Sequence, residues 1–277
     1  MFGRGLRTLS IASVVLVTGA FALVFLYAPN DADQGFVQKI FYLHVPLAIV
    51  ALGGFVAGGV FAIQYLRTGD RGHDLRSYVA IHLSLILGLG ALATGSIWAK
   101  ASWGVWWEWD EPTLVSFLIV FLLFACYQPL RFSIDDPERQ ARYAAVFAII
   151  GGAFVPLNFL AVRLATSLIH PRVLSTTGGS MPGEMRLTFL VSVIAMVCLF
   201  VTLWKYELAS KHASMRLRAL KRTLGGDEAA GPLAAPARRA PRSRPRRRRR
   251  RRGRARCGCR SRARRPRRSP ARRRARA

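Results

Sequence analysis

Trp98-Ala99-Lys100-Ala101-Ser102-Trp103-Gly104-Val105-Trp106-Trp107-Glu108-Trp109-Asp110 lies between two long apolar runs and holds five of the chain's six tryptophans. Tryptophan combines a broad, rigid apolar face with one N–H donor, which suits a membrane–water boundary. One or two such residues would read as interfacial anchors. Five within twelve residues, followed by the acids Glu108, Asp110 and Glu111, are too dense for anchoring alone. Several indole faces side by side make a platform for a large, flat aromatic ligand.

Working outward, the apolar runs set the fold class. A helix needs about 20 apolar residues to cross a hydrocarbon core of about 30 Å. Six stretches qualify: 9–28, 45–66, 78–98, 113–132, 143–162 and 187–206. The expectation is an all-α integral membrane protein of six transmembrane helices. The first run is too long for the apolar core of a signal peptide and is read as a span. Gly53-Gly54, Gly58-Gly59 and the Gly88/Gly90 pair fall within spans, where small residues permit close helix packing.

The net charge of +28 looks at odds with a chain that is 52% hydrophobic until the charge is located. Pro236 to Ala277 carries 23 Arg, no Lys and no acid, so residues 1–235 hold the remaining five net charges. Residues 1–224 read as the membrane domain and 225–277 as a disordered Arg-rich tail, which cannot build a core. Such a tail is expected at anionic lipid and carries no sign of specific nucleic-acid recognition.

Lys and Arg near the span ends set the expected orientation. Fourteen fall at the amino terminus, in the 67–77 and 131–142 loops and between Lys205 and Arg222. The alternate loops hold five: Lys39, Lys100, Arg163, Arg172 and Arg186. Both termini are therefore expected in the cytoplasm, with the tryptophan segment outside.

That orientation sorts the histidines. His44 and His170 reach the outer face, His73 and His212 the inner one, and His82 lies inside the third span near its cytoplasmic end. Pro46 is expected to mark the start of the second helix, because proline costs nothing in a first turn, with His44 just outside it. Either outer histidine alone would read as a hydrogen-bonded interfacial side chain, and His82 as a bond between helices. Two imidazoles converging on an indole platform suggest haem iron with both axial positions filled. Outer cations could meet the anionic propionates or merely lipid headgroups.

Other chemistries lack their residues. No cluster has zinc-ligand spacing, no Gly-rich phosphate loop follows a strand, and no outer serine accompanies a histidine. Cys126 and Cys198 sit in spans, where burial is the default; Cys257 and Cys259 lie in the tail, and no C-x-x-C-H is present.

Trp103-Gly104-Val105-Trp106-Trp107-Glu108-Trp109-Asp110 resembles the tryptophan-rich (WWD) signature of the cytochrome c assembly haem-handling proteins. Phe41-Tyr42-Leu43-His44-Val45-Pro46 resembles the segment before the second span in haem exporter protein C (CcmC) of system I maturation. The resemblance spans residues 10–206; the basic tail has no counterpart in the pattern. It implies a bacterial inner-membrane protein that is a haem carrier rather than an enzyme. Haem b would be held transiently at the outer face, with His44 and His170 as axial ligands. Trp103, Gly104, Trp106, Trp107, Trp109 and Asp110 would form the haem-contacting loop. The implied partners are a periplasmic haem chaperone (CcmE-like), ABC-type transporter subunits (CcmA/CcmB-like) and a small membrane subunit (CcmD-like). The alternatives are a system II-type cytochrome c synthase subunit, which has more spans, and an electron-transfer subunit with a permanent bis-histidine haem.

Overall fold

The computed structural model describes residues 5–165, 170 and 181–224. The basic segment 225–277, with the tail expected there, lies outside the described residues, as does Arg172. Helix α1 (Leu6–Ala22) continues through a wider π-type turn, Leu23–Tyr27. A short 3-10 segment, Phe36–Ile40, runs into α2 (Phe41–Thr68), and α3 follows as Arg71–Trp103. Then come α4 (Pro112–Ala125), α5 (Tyr127–Phe132), α6 (Pro137–Leu164) and α7 (Gly183–Leu224). Six of these stretches are long and apolar enough to cross a membrane, α4 and α5 together forming the fourth. The all-α six-span architecture expected from the sequence is the one observed.

Helix length departs from span length where a cap extends it. Helix α3 begins well before the apolar run because the Asp70 side chain accepts the Gly72 N–H at 2.8 Å, relieving one of the orphan donors of a helix start. It also runs on to Trp103 and stops at Gly104, whose φ of 79° suits a residue without a Cβ. His82 consequently sits about three turns into α3. Its Nδ1 lies 3.3 Å from Gln128 Nε2, and its ring stacks on Tyr78. That is the bond between helices expected of a lone histidine in a span.

Helix α2 is the packing centre, lying against α3, α6 and α7. Gly59 and Gly152 let α2 and α6 touch backbone to backbone; a Cβ on Gly59 would come within 3.3 Å of the Gly152 Cα. Beside that crossing Phe55 and Phe124 stack with centroids 4.0 Å apart. Gly54, Gly58 and Gly88 also face close neighbours, whereas Gly53 meets nothing and needs no packing explanation. Cys126 is exposed at the α4–α5 junction, against the buried setting expected of it, because the helix break turns it out of the packed face.

Two cations read as loop charges are in fact buried. Lys39 donates to the Val24 and Ala28 carbonyls at 2.7 and 3.0 Å, satisfying acceptors left open at the end of the first span. Arg131 forms two parallel bonds to Asp74, at 2.8 and 2.7 Å, and a third to the Tyr127 hydroxyl at 3.1 Å. The pair joins α3 to α5 at the end of the bundle away from the tryptophan segment. Asp136 accepts the Glu138 and Arg139 N–H groups at the start of α6, and the Arg139 bond in particular holds its carboxyl below the ordinary range.

Candidate functional site

The chemistry gathers at the other end of the bundle. A cavity of about 790 Å³ opens there, lined from the 3-10 segment, α2, α3, α4, α6 and the start of α7. Ligand pockets span about 300–1,000 Å³, so it can hold a large organic molecule.

His44 reaches it from the first turn of α2. That helix starts at Phe41 rather than at Pro46, which lies inside it. The preceding 3-10 turn, anchored through Lys39 to the end of the first span, already carries the chain in helical register. Proline's missing bond is outweighed by that tertiary tie. The His44 ring rests on α3, with Nδ1 3.0 Å from the Ala91 carbonyl and 3.2 Å from Thr94 Oγ1. A carbonyl oxygen only accepts, so Nδ1 carries the proton and Nε2 the lone pair. A bond of this kind at one ring nitrogen fixes the imidazole's tautomer and orientation. Gly95 makes room for the ring, since a Cβ there would stand 2.7 Å from Cε1.

His170 lines the same cavity. Its ring meets the edges of Trp98 and Trp103, each with centroids 6.2 Å away, and those two indoles pack edge-to-face at 4.8 Å. The main-chain N–H of His170 donates to Glu111 Oε2 at 3.3 Å.

The tryptophan segment is not a flat platform. Its indoles stand at steep angles, 75° for Trp98 and Trp103 and 62° for Trp107 and Trp109. Trp103 and Trp107 line the cavity, and Trp107 Nε1 is buried with no partner among the described residues. Trp106 and Trp109 are 60% and 69% exposed, Asp110 is also exposed, and none of the three lines the cavity. Gly104 acts through the backbone, ending α3 so that the chain can turn back. Among the described cations expected at propionates, Arg163 alone lines the cavity, its guanidinium over the Phe159 ring. Lys100 instead caps the Gly104 carbonyl at 2.7 Å.

Some residues around the cavity escaped the sequence reading. Ala91, Thr94 and Gly95 form, with Trp98 of the tryptophan segment, one stripe of α3 beneath the His44 ring and along the cavity. Their spacing of three, four and seven residues is the periodicity of a helix face, a signal available once α3 is extended to Trp103. Gln34, which accepts the Trp98 N–H at 3.1 Å, carries no local signal.

Residues 1–223 match the family described as Heme exporter protein C, CcmC. The chain belongs to that family. A CcmC relative, Heme exporter protein C of Bradyrhizobium diazoefficiens, is 34% identical over 222 residues, covering 79% of this chain and 82% of the relative. The Paracoccus denitrificans protein of the same name is 30% identical over 194 residues, 69% of this chain and 80% of the relative. That of Escherichia coli K12 is 34% identical over 155 residues, 56% and 63% of the two chains. With its six spans, this CcmC-family chain is a multi-pass inner-membrane protein. Its family concerns haem export and cytochrome c maturation.

Proposed function

We propose that the cavity seats haem b transiently, with His44 Nε2 and the His170 imidazole as the axial ligands, and that the protein passes this haem to a periplasmic chaperone. One observation carries the reading. A histidine whose tautomer leaves Nε2 free to ligate shares an aromatic-walled cavity with a second histidine. Haem is the cargo, and the chain's part is to bind, shield and release it. Two neutral imidazoles give six-coordinate iron with no position left for oxygen chemistry, which suits delivery better than catalysis. Trp103 and Trp107 supply apolar contact. Trp107 Nε1 and the Arg163 guanidinium lie where a propionate could be received.

The orientation is part of the proposal: both termini face the cytoplasm and the cavity faces outward. ABC-type transporter subunits and a small membrane subunit are the partners in the bilayer, and a CcmE-like chaperone is the recipient. The family match favours this carrier over a permanent electron-transfer haem.

Absorption spectroscopy of haem-loaded protein in nanodiscs tests the site. The wild type should be low-spin. His44→Ala and His170→Ala should each give five-coordinate or water-ligated haem that free imidazole returns to low-spin. His73→Ala, His82→Ala and His212→Ala should leave the spectrum unchanged. Low-spin haem in both cavity variants would overturn the ligand assignment. For orientation, an impermeant thiol reagent applied from outside should label Ser102→Cys and spare Ser133→Cys, both exposed and at opposite ends.

A further inference from the structure

Behind the cavity wall lies a carboxylate that the ligand assignment does not use. Glu111 immediately precedes α4, and its side chain is fully buried. A carboxylate taken out of water needs hydrogen-bond donors in place of its solvation. Among the groups that serve are two main-chain donors of described residues: the Thr113 N–H, 3.4 Å from Oε1, and the His170 N–H, 3.3 Å from Oε2. The first is a capping bond within the helix start, where the helix dipole also favours negative charge. The second bridges 59 positions of sequence and ends on the residue whose ring enters the cavity.

The choice of side chain fits that second bond. Helix caps favour Ser, Thr, Asp and Asn, whose short arms reach their own N–H groups. Glutamate is longer by a methylene, and here the extra reach takes Oε2 to another segment. The neighbouring acid Asp110 is exposed and makes no such tie among the described residues.

We propose that Glu111 is a positioning residue for the His170 imidazole. Held at the fixed N-terminus of α4, its carboxylate grips the main chain of His170 and so sets how far the ring reaches toward the iron. This rests on His170 being a ligand, and the test separates the two claims. Glu111→Leu keeps the bulk and removes the acceptor. Haem-loaded Glu111→Leu should lose low-spin absorption to a five-coordinate form, and free imidazole should restore it. Added to His170→Ala, the same substitution should change the spectrum no further, because the group it positions is already gone. A fully low-spin Glu111→Leu protein, whatever its melting temperature, would show a purely structural carboxylate and overturn the proposal. Should Glu111→Leu fail to fold, Glu111→Met, of similar length and with no oxygen to accept the His170 N–H, decides alone. A rise in the five-coordinate fraction that free imidazole reverses supports positioning, and a wild-type spectrum rejects it. A wild-type spectrum in His170→Ala would instead remove the ligand assignment, and positioning with it.

Discussion

The two ends of the bundle bury polar side chains in opposite ways. At the end away from the tryptophans, Asp74, Arg131 and Tyr127 satisfy one another: both carboxylate oxygens accept from the guanidinium, which also meets the hydroxyl. Arg131 lies beside the Tyr78 ring as well, 5.0 Å from its centroid. At the cavity end, groups are fixed on one side only. His44 is held through Nδ1 with Nε2 left to ligate, and Trp107 Nε1 is buried with no partner among the described residues. A closed polar set contributes to structure, since its members bond one another within the protein. An open set held by rigid helices is arranged for something that arrives later.

Substitutions at the two ends should therefore separate stability from haem binding. The largest effect belongs to the closed end. Asp74→Asn or Arg131→Met alone leaves a buried charge without its partner, at a cost of about 3–5 kcal/mol. Thermal melts should show that loss, while the protein that folds keeps a wild-type haem spectrum. Next is Gly95→Ala at the open end. The added methyl would displace the His44 ring, and disturbing such a support weakens metal binding roughly 10–100-fold. Haem titration should show this with the melting temperature little changed; a large fall in melting temperature and intact haem binding would erase the contrast.

Within the tryptophan segment the contrast sharpens. Trp107→Ala should weaken haem retention while residual haem stays six-coordinate, and the exposed Trp106→Ala should do much less. Equal losses would mean that the exposed indole also touches haem. The smallest effect is expected at Asp136. Its carboxyl is held below the ordinary range, chiefly by the Arg139 N–H, so its contribution is complete above the unfolded carboxylate pKa, about 3.9. It is lost as pH falls through the lower folded value. The melting-temperature difference between wild type and Asp136→Ala should be slight at neutral pH and vanish in strong acid, with haem binding unaffected.

How much was legible follows the range of the signal. Spans come from local apolar runs, and the density of tryptophans around Trp103 points to the cavity end without any contact being known. His44 and His170 could be named because they stand beside spans on one side of a charge pattern. Arg131 could not be recognised as buried, since its partner Asp74 is 57 residues away and no window contains both. Lys39 was misread for a different reason: its partners are nearby main-chain carbonyls, which every residue carries and no side chain announces. The split among the indoles depends on α3 reaching Trp103 and on the positive φ of Gly104. Composition places five tryptophans together but cannot say which way each one turns. Glu111 passed for one of a run of acids because exposure, the property that separates it from Asp110, is decided by α4 and His170.

Lys39 also bears on how the chain is built. The Val24 and Ala28 carbonyls to which it donates lie at the end of the first span, while the lysine itself leads into the second. No lysine lies within Leu6–Tyr27, so the end of the opening helix is closed by a residue that follows it in the chain.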